Sequence, residues 1–310
     1  MKNEVTAIAT ATVSNVACGF DIMGFAIDKP EDKVKIKITK NPGIQIKKIL
    51  GDNGKLSLDI RKNTLGVAVQ SLANYLNFKD GLELELYKQM PLGSGLGSSA
   101  ASAVAGVFAL NELLGTPLCK EDLLNFALDG EKITSGGVLH ADNVAPSLFG
   151  GFVVVRSTNP LDVIRIPTPK NLFCTVVHPH IEIITSKARK ILSKQVPLKD
   201  AVVQWGNVAG LIAGLMKSDF DLISRSLEDV IIEPQRSTLI PGYYDVKNSA
   251  LNAGALGVNI TGSGPSIFAL STSNKLAKNI GISMKKVFKR NGIRSDIYIS
   301  TINHEGPRIV

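Results

Sequence analysis

The segment Pro91-Leu92-Gly93-Ser94-Gly95-Leu96-Gly97-Ser98-Ser99-Ala100-Ala101 sets glycines at alternate positions immediately before an alanine-rich run. Glycine permits backbone conformations closed to other residues, so successive amides can turn inward. At a helix N-terminus such amides form an anion nest, reinforced by the positive end of the helix dipole. Ser98 and Ser99 add hydroxyls suited to phosphate or magnesium. The chemistry predicted is triphosphate binding. Two better-known phosphate loops are excluded by the letters. Gly97 is followed by Ser98 rather than the lysine of a Walker A loop, and Ser98 stands where a dinucleotide fingerprint has its third glycine.

Four further segments carry polar residues in suggestive company. Ser14-Asn15-Val16-Ala17-Cys18-Gly19-Phe20-Asp21-Ile22-Met23-Gly24 offers Asn15 and Asp21. His140-Ala141-Asp142-Asn143-Val144-Ala145-Pro146-Ser147 precedes Gly150-Gly151-Phe152, and Glu233-Pro234-Gln235-Arg236 precedes Ile240-Pro241-Gly242. Asn259-Ile260-Thr261-Gly262-Ser263-Gly264-Pro265-Ser266 is a second glycine-rich turn. A bare Gly-x-Gly is as consistent with tight packing as with ligand binding; the long loop with these companions is far more specific. Together, from Thr10 to Asn303-His304-Glu305-Gly306, the segments resemble the GHMP kinases, and in detail the members of that family that act on homoserine.

That resemblance implies a two-lobed α+β fold, an N-terminal lobe like ribosomal protein S5 and a ferredoxin-like C-terminal lobe, with Mg-ATP and L-homoserine between them. It implies ATP-dependent phosphorylation of the homoserine hydroxyl to O-phospho-L-homoserine, a step of threonine biosynthesis. By similarity Asp21 holds the substrate ammonium, Arg189 and Arg236 its carboxylate, and Asn15, His140, Asn143 and Gly262 complete the recess. Arginine suits a carboxylate because its planar fork grips both oxygens. Pro91 to Ala101 and Asn63 are assigned to the nucleotide, Ser98 and Glu131 to magnesium, and Lys88 to the phosphates. Phosphoryl transfer asks mainly for positioning and charge stabilisation. Asn143 cannot act as a base at neutral pH, so transition-state stabilisation without a dedicated base is expected; the adjacent Asp142 stays in contention. A homodimer is a family expectation.

These residues need elements to position them. Periodicity predicts strands at Val5 to Val13, Val34 to Thr39 and Leu82 to Lys88, and helices over Thr64 to Leu76, Ser99 to Leu114 and Lys120 to Ile133. A loop over Gly136 to Gly151 leads to a strand at Phe152 to Val155, and the lobes are divided as 1–155 and 156–310, near the Pro-rich stretch Pro160 to Pro169. The second half predicts a strand at Phe173 to Val177, helices near Ser186 to Leu192, Val202 to Leu215 and Tyr244 to Leu256, and strands at Val258 to Thr261 and Ile267 to Leu270. The last strands are free to return to the first lobe. Helices and strands alternate without a regular βαβ period, which favours α+β.

Composition narrows the alternatives. With 310 residues and 44% hydrophobic content the chain can bury a large core. Apolar runs are interrupted before membrane-spanning length, and Thr6, Thr10 and Thr12 break the N-terminal run that a signal peptide needs. Cys18, Cys119 and Cys174 are widely spaced, which argues against a disulfide framework and for a reducing cytoplasm. The net charge of +8 could suggest nucleic acid, but Lys33, Lys35 and Lys37 alternate with Val34, Ile36 and Ile38 as on a half-buried strand, and aromatics are only 5%. Open rivals are a GHMP kinase for another alcohol, such as mevalonate or shikimate, and a silent family member that binds ligand without turnover.

Overall fold

A computed structural model describes residues 3–135 and 139–310. The first part of the chain forms β1 (Glu4–Ser14), β2 (Met23–Thr39), β3 (Ile44–Leu50), α1 (Thr64–Tyr75), β4 (Gly81–Tyr87), α2 (Ser98–Leu113) and α3 (Lys120–Ser135). It continues with α4 (Ala141–Phe149), β5 (Phe152–Thr158), β6 (Leu161–Ile166), β7 (Phe173–Pro179) and α5 (Thr185–Lys190). Next come α6 (Leu198–Lys217), α7 (Phe220–Ser226), α8 (Glu233–Arg236), α9 (Tyr243–Asn252), β8 (Gly257–Ile260) and β9 (Ile267–Ser271). The last elements are α10 (Asn274–Arg290), β10 (Ser295–Thr301) and β11 (Arg308–Ile309).

Two sheets organise these elements. The first runs β11-β1-β2-β4-β3, with β5 pairing the start of β2 and β6 pairing β5; all its pairs are antiparallel except β3–β4. The second is antiparallel, β10-β7-β9-β8. The β5–β6 hairpin keeps the chain in the first sheet to Ile166, and β11 returns to β1. We therefore draw the lobe division between Ile166 and Phe173 rather than after Val155.

α2 is buried without interruption from Ala100 to Asn111, as expected of a helix with no polar face. It packs on β1 and β2 on one side and on α1 and α3 on the other. Gly106 makes the close approach possible, since a Cβ there would sit 2.3 Å from Leu65 Cδ1. The residues predicted as a loop before Gly151 instead form α4, whose buried Ala141, Val144, Ala145 and Leu148 seal the first core. The sequence signal for a loop was Pro146 and the flanking glycines; burial of one apolar face overrides them. Gly136 to Val138 lie outside the described residues.

The lobes share a core. Phe25 on β2 stacks on Phe152 of β5 at 5.8 Å between ring centres and meets Phe268 of β9, in the second sheet, edge-on at 6.2 Å. Among the described residues no helix is long and apolar enough to cross a membrane.

Candidate active site

The phosphate loop joins β4 to α2 with positive φ at Gly93, Gly95 and Gly97 (65°, 76° and 67°). Two of these glycines are needed twice over. A Cβ on Gly95 would lie 2.4 Å from the Thr261 carbonyl oxygen, and one on Gly97 would lie 2.2 Å from Thr12 Oγ1. Gly97 is also the N-cap of α2 and offers no side chain, so the first amides of a 16-residue helix face a cleft of about 380 Å³. Orphan amides with a helix dipole behind them are an anion site.

Three sequence-distant segments close on one another behind that loop. Thr261 Oγ1 donates to the Gly95 carbonyl at 2.8 Å, and the Ser266 amide donates to the Ser94 carbonyl at 3.3 Å. The Gly262 amide donates to the Ser14 carbonyl at 3.2 Å, and the Thr12 amide to the Leu96 carbonyl at 3.1 Å. Thr261 falls in the second glycine-rich segment but was not singled out there, and Thr12, a threonine on β1, carried no sequence signal for the site.

Ser99 Oγ donates to Glu131 Oε1 at 2.9 Å, so the carboxylate of α3 reaches the start of α2. Ser98 Oγ is buried and has no hydrogen-bond partner among the described residues. A buried hydroxyl left without a partner next to a carboxylate fits a divalent cation, which takes oxygen ligands and keeps several waters. His140 Nδ1 lies 3.7 Å from Glu131 Oε1. Burial works against the charged imidazole, but the bond to Glu131 and the charges of Asp142, Glu131 and Asp21 outweigh it and raise its pKa.

Lys88 is placed differently from the expectation of a direct phosphate contact. Its ammonium is buried, paired with Asp32, and donates to the Ser98 carbonyl at 2.8 Å and Ser102 Oγ at 2.9 Å. Those three partners account for its three protons, so it holds the base of the loop and acts on phosphates through it. Asp32, missed by sequence reasoning, also accepts from the Gln89 and Met90 amides at 2.9 and 3.1 Å. Asn63 lines the cleft, but its side chain caps α1 through the Leu65 amide at 3.0 Å and donates to the Ser57 carbonyl at 2.8 Å.

At the other end of the cleft, Arg189 of α5 donates through Nη2 to both oxygens of Asp21, at 2.8 and 2.9 Å. Asp21 sits on a left-handed turn at φ 60°, held by its amide donating to Asn15 Oδ1 at 3.0 Å. Asn15 Nδ2 and Arg236 Nη1 both donate to the Gly262 carbonyl at 2.7 Å. Burial brings the Arg236 pKa down to about 10, with Asp21 pulling the other way, so the guanidinium is charged at neutral pH. Arg236 and Arg189 flank the Phe20 ring, 4.9 and 5.4 Å from its centre. Asn143 Oδ1 accepts from Thr12 Oγ1 at 3.2 Å. Asp142 is buried, and burial, followed by the charge of Asp21, pushes its pKa up to about 6. The predicted residues Asn15, Asp21, Asn63, Lys88, Ser98, Ser99, Glu131, His140, Asn143, Arg189, Arg236 and Gly262 thus all line one cleft.

Residues 63–151 match the family model of the GHMP kinases N terminal domain, and residues 211–290 that of the GHMP kinases C terminal. A homoserine kinase of Chlorobium phaeobacteroides (strain BS1) is 48% identical over 99% of both chains. The chain belongs to the homoserine kinases of the GHMP family. A solved homoserine kinase structure from Cytophaga hutchinsonii superposes with a TM-score of 0.98 at 54% identity, covering 100% of this chain and 98% of that one. The mevalonate kinase of L. major, solved in complex with R-mevalonate, matches with a TM-score of 0.73 at 19% identity over 97% of this chain and 98% of its own, which places it in the same fold. Pro91 to Ala101 lie within the matched N-terminal family model, and ATP as the phosphoryl donor follows from the kinase family.

Proposed function

We propose that the chain transfers the γ-phosphoryl group of Mg-ATP to the side-chain hydroxyl of L-homoserine, giving O-phospho-L-homoserine and ADP. The observation that carries this reading is the charge pattern of the recess: one carboxylate, Asp21, and two guanidinium groups, Arg189 and Arg236, beside a phosphate loop. A zwitterionic amino acid needs that set, whereas mevalonate or shikimate, which lack an ammonium, have no use for Asp21.

In this reading Asp21 leaves Arg189 for the substrate ammonium, and Arg189 and Arg236 take the carboxylate. Asn15, His140 and Asn143 orient the chain of the substrate toward the α2 N-terminus. Ser98 and Glu131 would hold magnesium, which when bound neutralises charge on the β- and γ-phosphates. The homoserine oxygen forms its bond to the γ-phosphorus as the bond to the bridging oxygen breaks, and that electron pair leaves with ADP. The hydroxyl proton passes to a phosphoryl oxygen without a dedicated carboxylate base. Asn143, fixed by Thr12, positions the hydroxyl. A cytoplasmic location fits the three cysteines, all free thiols. Self-association as a homodimer belongs to the same reading.

The test is ADP release with Mg-ATP across L-homoserine, mevalonate, shikimate and L-threonine, with phosphorus NMR to identify the product. Selective turnover of L-homoserine is expected. Turnover of another alcohol in its place would keep the nucleotide site and discard the substrate contacts.

A further inference from the structure

A triphosphate brings several negative charges into the cleft, and the amides at a helix N-terminus answer only part of them. The lysines and arginines that line the cleft are Lys55, Lys62, Lys88, Arg189 and Arg236. Lys88 has its three protons engaged beneath the phosphate loop. Arg189 and Arg236 are held at the far end by Asp21 and the Gly262 carbonyl. Lys62 is exposed, and among the described residues no hydrogen bond or ion pair joins it to the loop. The cation that remains is Lys55.

Lys55 lies between β3 and α1, and its Nζ is 2.8 Å from Oε2 of Glu182, between β7 and α5. An ammonium of the first lobe thus meets a carboxylate of the second across the cleft. Among the described residues the one other ion pair that joins the lobes is Arg189 with Asp21. Glu182 rests on the phosphate loop itself: a Cβ on Gly93 would lie 3.1 Å from its Cγ and 3.6 Å from its Oε1. A carboxylate at that point repels the anion that the loop is shaped to hold, and Lys55 is what neutralises it. The two side chains are 53% and 54% exposed, a setting in which an ion pair contributes little to stability. The backbone beneath Lys55 is fixed all the same. The Lys88 amide donates to the Leu50 carbonyl at 2.7 Å, and a Cβ on Gly51 would lie 2.0 Å from the Lys88 carbonyl oxygen. Buried Asp52 then closes the turn, accepting from the Leu56 amide at 2.9 Å. A long, half-exposed side chain on an anchored turn can change partners without moving the chain that carries it.

We propose that Lys55 is a phosphate-binding residue of the ATP site, and that it exchanges the Glu182 carboxylate for the triphosphate. Glu182 keeps the ammonium beside Gly93 until the nucleotide competes for it. Phosphate oxygens win that competition because they carry more charge than one carboxylate and sit on a loop whose amides already favour them. Glu182, half exposed, is left to water at small cost. The pair therefore acts as a competitor within the chain, and its two members have opposite effects on affinity: Lys55 strengthens ATP binding and Glu182 weakens it.

Displacement of a fluorescent ATP analogue by Mg-ATP and by adenosine, at low ionic strength, tests the inference on the full chain. Lys55→Met is expected to raise the Kd for ATP about tenfold, the low end of what a hydrogen bond to a charged group is worth, and to leave the Kd for adenosine unchanged. Lys55→Arg keeps the charge and is expected to stay within about threefold of the wild type. Glu182→Gln is expected to tighten ATP by about two- to fivefold, the fold-change that an exposed ion pair represents. Because both positions are half exposed, the melting temperatures of these variants should stay close to that of the wild type. Unchanged ATP affinity in Lys55→Met would overturn the proposal, and so would an equal loss for adenosine, which would place Lys55 on the nucleoside. Weaker ATP binding in Glu182→Gln would also overturn it, since that sign belongs to a magnesium ligand. The measurement involves no alcohol substrate, so its result stands apart from that of the substrate test.

Discussion

Asp21 and Asp142 are two carboxylates in one cleft with different tasks, and single substitutions separate them. Asp21→Asn removes the ammonium partner and leaves Arg189 without its ion pair. The KM for L-homoserine should rise about 10- to 100-fold, the range expected when a hydrogen bond to a charged group is lost, with the KM for ATP nearly unchanged. Asp142 has a folded pKa raised from 3.8 to about 6, so between those values the folded chain keeps a proton that the unfolded chain has lost. Its contribution to stability therefore declines as pH rises from about 4 to about 6 and is flat above that. Asp142→Asn should melt higher than the wild type at pH 8, by roughly 2–3 kcal/mol of unfolding free energy, with the difference fading toward pH 4. The same variant should keep turnover within about tenfold, whereas loss of a general base typically costs ~10²–10⁴. Steady-state kinetics and calorimetry on that one protein thus test both the absence of a base and the electrostatics of burial.

At the scale of elements, the phosphate loop works because β4, α2 and the turn after β8 arrive at fixed distances. Gly95→Ala forces a Cβ toward the Thr261 carbonyl at a left-handed backbone position, which costs about 1–2 kcal/mol before any clash. It should lower kcat/KM for ATP at least tenfold, measurable by the same ADP assay. Lys88→Met leaves Asp32 charged and buried, and breaking such a pair typically costs ~3–5 kcal/mol. It should therefore lower the melting temperature as well as the rate, which a residue acting only on phosphates would not do. The loop and its helix were legible in the sequence because glycine spacing and an alanine run have few other uses. The Lys88–Asp32 pair was not, because Asp32 lies 56 residues away in the middle of β2 and nothing local marks it. α4 was hidden by Pro146, and α10 by lysines that dilute an apolar stripe of Ala277, Ile280, Met284 and Phe288. The substrate recess was legible only through family resemblance. Arg189 and Asp21 stand 168 positions apart, and no periodicity joins them.

For the whole molecule, the Phe25–Phe152–Phe268 cluster ties both sheets into one core, and the Ser14, Gly95 and Gly262 segments tie the lobes across the cleft. Calorimetry should show one cooperative transition, and Phe268→Ala should lower its free energy by about 3–5 kcal/mol while leaving it single. Two resolved transitions would mean that the lobes fold separately. In the proposed reading of the recess, the pair formed by Asp21 and Arg189 acts as a logical conjunction. A stray amine can satisfy Asp21 only by stranding Arg189, and a stray carboxylate can satisfy Arg189 only by stranding Asp21. A molecule that presents both groups together exchanges one ion pair for two. In that proposed reading, common cellular amines and acids, each bearing half of the required signal, are turned away before any hydroxyl is brought near ATP.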